Sequence, residues 1–316
     1  MGARKSAELN EPIKPAVADK TLEDWLVMAM QRQTGAQVDA FLESRGRDAE
    51  SLVSMFKLTS DHALLKEAMR DYPDDVLVQS TVVLHESESE PEFSKWAARW
   101  VEFDPDNALA HYMSASLKAK DDPAGAVEDL VAVMSLHGNH DHGGAFMINQ
   151  SAFYESIGMP APVAQAAATQ VGTPAIGSLR KSARALATYA SDQREAGGQE
   201  AADRASAAVL AMGQRYTQEH GTILENLVGV PIEKIVLKDY EEADEIPAFL
   251  DRSVGDYRES LDASMADLRG LMKNNAFEKM QALSNQSDLQ EYLRRLSQLG
   301  EASVQQWVNQ KMNASP

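Results

Sequence analysis

The chain is predicted to be all-α, built from short helices joined in pairs, and three observations lead there. Ala, Leu, Met, Glu and Gln abound, all of which favour helix, while aromatics make up only 6% of the residues. Apolar residues recur at intervals of three or four along most of the chain. Finally, Tyr72-Pro73-Asp74-Asp75 and Asp104-Pro105-Asp106-Asn107, 32 residues apart, each close one apolar stretch and open the next. Proline cannot continue the first helix, and the Asp or Asn two residues on can cap the second. A period of that length is the mark of stacked helix pairs.

Residues 1–20, with Pro12 and Pro15 among charged and small residues, read as a flexible lead. Order is expected from Thr21, with Leu22, Trp25, Leu26 and Ala29 on one helical face. Val38, Phe41 and Leu42 mark a second helix after Gly35, and Leu52, Val53, Met55 and Phe56 a third, entered through Asp48. Leu64, Leu65 and Ala68 lead to Pro73, after which Val76, Leu77, Val82 and Val83 face inward. Phe93, Trp96, Ala97 and Trp100 lead to Pro105, and Leu109, Tyr112 and Leu117 follow. The turn at Asp121-Asp122-Pro123 opens a helix presenting Val127, Leu130, Val131 and Met134.

This region resembles a degenerate tetratricopeptide-repeat array over roughly residues 60–137, and two further helix pairs would carry it to Ala190. Ala68, five positions before Pro73, meets that family's need for a small residue, whereas Trp100 departs from it before Pro105. Ala115 fits the small position in the following first helix, where Val83 is bulkier. The resemblance implies an α-solenoid in residues 21–190 whose concave surface binds a protein or peptide. It further implies contacts from the first helix of each pair: Gln79 and Glu86 after Pro73, His111 and Lys118 after Pro105. These do not form the basic and amide cluster that grips a peptide's terminal carboxylate.

The polar stretch Ser191 to Gln199, with Gly197-Gly198, is the expected boundary to a C-terminal α-helical domain or cap, residues 200–316. Ala201 to Met212 and Ile223 to Leu237 read as longer helices, the second kinked by Pro231 or starting near it. Glu225, Pro231, Glu233 and Lys234 interrupt the latter's apolar run, which falls far short of the roughly 20 residues of a membrane span. The acidic run Asp239 to Glu245 is expected to be a solvated loop. From Phe249, Leu250, Val254, Tyr257, Leu261, Met265, Leu268 and Met272 share one face of a long amphipathic helix. Leu289, Tyr292, Leu293 and Leu296, then Val304, Trp307 and Val308, suggest two closing helices.

Forty-eight acidic against thirty basic residues give a net charge of -18, which repels phosphate backbones and argues against nucleic acid as a partner. With no cysteine, disulfides, thiolate metal sites and cysteine nucleophiles are excluded. Cysteine absence fits any compartment and leans towards an exported one; residues 1–20 carry no apolar signal core, although a cleaved exported chain would look the same. The expected location is therefore cytoplasmic by default, or periplasmic or exported. Gly2 and Ser6 fit a short N-myristoylation pattern of a kind that recurs by chance.

His137, His140 and His142, with Asp141, lie within six residues and would suit zinc or a similar divalent metal. Gly138-Asn139-His140-Asp141 resembles one block of calcineurin-like phosphoesterases, but their other blocks are missing. The metallo-β-lactamase pattern is met at His137, Asp141 and His142, with Asn139 where its second histidine belongs. Both of those families need strands. No Gly-x-Ser-x-Gly elbow, phosphate-binding loop or dinucleotide fingerprint occurs. The expected function is a non-enzymatic helical-repeat protein that binds another protein or peptide, with no cofactor. The alternatives are a metal-binding protein or enzyme centred on the histidine loop, and a self-associating structural or envelope-associated protein.

Overall fold

In a computed structural model, the described residues are 24, 28–29, 33–85, 92–136, 142–168, 175–218, 223–238, 240, 246–273, 291, 295, 307–308 and 310–311. They are all-helical, with no strand among them. The expected lead, the start of the first helix, the acidic run apart from Tyr240, and most of the two closing helices lie outside them.

Thirteen helices are formed by the described residues: α1 Gly35–Ser44, α2 Ala49–Thr59, α3 His62–Asp71, α4 Val76–His85, α5 Phe93–Phe103, α6 Ala108–Lys118, α7 Pro123–Ala132, α8 Gly143–Ser156, α9 Ala161–Ala168, α10 Ala175–Glu195, α11 Gln199–Gln218, α12 Ile223–Leu237 and α13 Val254–Lys273. Their ends follow from local chemistry. Thr34 and Gln37 form a capping box at α1, Asp48 caps α2 and Asp122 precedes Pro123 at the first position of α7. Gly46, Gly158 and Gly197, each at positive φ, end α1, α8 and α10. In all three the next residue donates five positions back, as Gly198 does to the Gln193 carbonyl at 2.8 Å.

The two proline turns are structural equivalents. Tyr72 and Asp104 end their helices at φ/ψ of -132/51° and -134/59°. Asp75 Oδ1 accepts from the Leu77 N–H at 2.8 Å, and Asn107 Oδ1 from the Leu109 N–H at 3.1 Å. The expected departure at Trp100 is accommodated, because the indole is fully buried where Ala68 is fully buried 32 residues earlier.

Sequential pairs α2–α3, α4–α5 and α6–α7 pack together, and each stacks on the next. The following pair does not continue in that direction. The extensive contacts of α8, beyond its hairpin partner α9, are with α2 and α1 at the other end of the stack. It is α10 that packs on α6 and α7, with α11 beside α7, α12 on α10 and α11, and α13 on α12. A repeat array in which each pair meets only its neighbours has no such return. One contiguous apolar core nevertheless joins these layers, from Val38 to Leu268.

Three local expectations change. Met134 falls beyond the end of α7 and is 41% exposed. The last long helix begins at Val254 rather than Phe249, because the chain turns at Pro247–Leu250 and Ser253 Oγ accepts from the Asp256 N–H. Ser191 to Glu195 is the end of α10, so the polar break shrinks to the turn 196–198 between two packed helices.

Candidate interaction surface

At the α8 seam a helix lies on distant parts of the chain through a repeating set of side chains. Phe146, Asn149, Gln150, Phe153 and Tyr154, at i, i+3, i+4, i+7 and i+8, are all buried. Phe153 meets Phe41 of α1 edge-on at 5.5 Å, and the Tyr154 hydroxyl reaches the Ala29 carbonyl at 3.5 Å. Burial raises the phenol's pKa. At the other end Lys57 of α2 places its ammonium 3.4 Å from the centre of the Phe146 ring.

Between these aromatic anchors the seam is polar. Asn149 donates to the Glu50 carboxylate at 3.1 Å, and Gln150 to the Ser54 carbonyl at 3.4 Å. The Ser54 hydroxyl, also buried, has no hydrogen-bond partner. Inside the stack, α2, α3 and α4 bury Leu52, Val53, Met55, Leu65 and Val78 together with the polar Ser51, Gln79, Ser80 and Thr81. On its outer face α8 exposes Met147 and Ile148.

The proposed contact residues occupy separate places. Gln79 is fully buried and donates to the Pro73 carbonyl at 3.1 Å. His111 bonds the Pro105 carbonyl through Nε2 at 2.8 Å, which requires the Nε2–H tautomer. Lys118 pairs with Asp129 of α7 at 2.5 Å. Glu86, His137 and His140 lie outside the described residues. His142 sits at the start of α8 in the left-handed region, φ 58°, with Nε2 3.1 Å from Asp104 Oδ2 in the second proline turn. Among the described residues no three His, Cys, Asp or Glu come together in a way that could hold a metal ion.

Two further features were not legible from the pattern. An open depression of about 540 Å³ lies between α7, the end of α10 and the start of α11, lined by Val127, Glu128, Tyr189, Gly198, Glu200 and Arg204. Arg204 already pairs with Glu128 at 2.7 Å, and no serine, threonine, histidine or cysteine is among the described residues that line the hollow. The second feature is a buried carboxyl. Glu233, read from sequence only as a charge interrupting an apolar run, is 2% exposed. It accepts from the Tyr257 hydroxyl at 2.6 Å and the Thr217 hydroxyl at 2.8 Å, while Gln214 donates to Tyr257 at 2.8 Å. Burial raises its pKa against the opposing effect of those hydrogen bonds. These four residues join α11, α12 and α13, where Gly213 and Gly229 let two backbones cross closely.

No family model matches the chain, and neither a curated protein nor a solved structure matches it. No helix among the described residues is long and apolar enough to cross a membrane.

Proposed function

We propose that this chain is a non-enzymatic, tetratricopeptide-like helical-repeat protein that binds a helical segment of another protein. The observation that carries this reading is α8 itself, held on α1 and α2 by anchors at i, i+3, i+4 and i+7. That is the chemistry by which helix-binding grooves recognise a partner. Buried aromatic anchors at each end supply affinity, and the central amides supply register. The charge of -18 works against a nucleic-acid partner and favours one with basic flanks.

The reading is tested by selecting a displayed library of helical peptides on the full-length protein. Enrichment of amphipathic sequences over scrambled controls is the expected result. If nothing is enriched at micromolar protein, the chain is not a binder of short helices.

A further inference from the structure

We propose that the surface of α1 and α2 beneath α8 is itself the helix-binding groove, with α8 as its internal, displaceable occupant. The partner it fits is an amphipathic helix with aromatic residues seven apart and carboxamides at the third and fourth positions between them. This rests on the function proposed above and specifies its site.

Three observations carry it. The first is topological: α8 and α9 leave the stack, while α10 takes the place on α6 and α7 next to the preceding pair. The remaining helices therefore contact one another in an unbroken series without the hairpin. The second is chemical. Asn149, Gln150 and Ser151 are buried amid the aromatic anchors, against Glu50 and Ser54. These groups regain hydrogen bonds to water when the helix lifts, and the Ser54 hydroxyl gains one that it lacks in the docked state. The third is at the hairpin's start, where α8 has no side-chain cap and opens on Gly143-Gly144. A polar tether there is the bond from His142 to Asp104. Anchors, amide register and an uncapped start are the features of a helix that docks specifically and, in this proposal, detaches without unfolding the stack.

Charge places the partner's termini. Lys57 sits over the first aromatic ring and Glu50 receives the amide one turn later, so the groove presents a cation and then an anion along the ligand's direction. A competing helix with an acidic residue beside its first aromatic and a basic one near its carboxamides would gain over α8 on both counts.

The experiment uses the full-length protein and a fluorescent peptide with the sequence of residues 143–156. Hydrogen exchange comes first: α8 amides are expected to exchange at least tenfold faster than the buried amides of α2 and α4. Equal protection of all three would show α8 to be fixed core and would overturn the proposal without touching the peptide selection above. Next, Asn149→Ala with Gln150→Ala removes the two polar bonds and leaves both aromatic anchors. The double variant should bind the peptide at least tenfold more tightly than wild type does, because tethered α8 competes at an effective concentration on the order of millimolar. A peptide carrying Ala for Phe146 and Phe153 should not bind. If the folded variant binds no better than wild type, or binds both peptides alike, the groove assignment fails. Conversion of the variant to a dimer by exchange of α8 would assign the groove to a second copy and likewise overturn the partner helix.

Discussion

Gln79 and His111, 32 residues apart, make the same bond: each closes its turn by reaching the carbonyl of a proline six residues earlier, at 3.1 and 2.8 Å. Both are among the expected contact residues, and each side chain also bonds within the proline turn that begins its helix. The period seen in the sequence is thus a period of turn chemistry, with helix end, cap and back-bond all recurring.

The two positions should respond unequally. Gln79→Ala empties a fully buried site and strands the Pro73 carbonyl, for a loss of about 2–3 kcal/mol. His111→Ala removes an exposed bond and should cost only about 0.5–1 kcal/mol. Urea denaturation of the two variants checks the order, and a larger loss at His111 would refute the shared-turn account.

Glycine substitutions test the crossing of α11 and α12. A Cβ on Gly213 would lie 2.6 Å from Glu233 Cγ and 3.1 Å from the Gly229 carbonyl. Gly213→Ala should therefore destabilise by about 2 kcal/mol despite its better helix propensity. Gly270 on α13 meets nothing within 4 Å, so Gly270→Ala should stabilise by about 0.5–1 kcal/mol. Thermal melts of the pair should shift in opposite directions.

Glu233 gives the fold a pH dependence of definite sign. Its pKa is raised on folding above the ordinary 4.5 by burial, so the folded state holds the proton more tightly than the unfolded one. Its contribution is full below 4.5 and is lost as pH rises through the higher folded value. Wild type should thus lose stability relative to Glu233→Gln between acidic and neutral pH, as followed by urea midpoints across that range. A constant difference would show that the carboxyl does not titrate differently on folding.

Glu67 acts in the opposite sense. Arg47 donates to both its oxygens, at 2.6 and 2.7 Å, and that pairing holds its pKa below 4.5. The benefit is present above 4.5 and lost as pH falls through the folded value. Glu67→Gln should cost about 1–2 kcal/mol at neutral pH and progressively less in acid. Comparing its denaturation midpoint with wild type at neutral and strongly acidic pH measures this.

Much of the secondary structure was legible because it rests on neighbours in sequence. Val38, Phe41 and Leu42, or Phe93, Trp96, Ala97 and Trp100, announce a buried face by spacing alone, and all are buried. Met134 misled because the spacing continues past the point where α7 ends. The groove was not legible. Asn149 and Gln150 look like solvent-facing residues on any helical pattern, and their partners Glu50 and Ser54 lie 99 and 96 residues away.

What the sequence alone determined is therefore the helices, their caps and the recurring proline turns, since those depend on bonds and rotamers within about six residues. Tertiary structure alone decided that α8 returns to α1 and α2 while α10 continues the stack, and that Glu233 is a buried acid rather than a surface charge. The physical reason is the same for both. Apolar stripes specify that a face be covered, not which distant face covers it, and a carboxyl's pKa is set by the burial and hydrogen bonds that other helices bring to it.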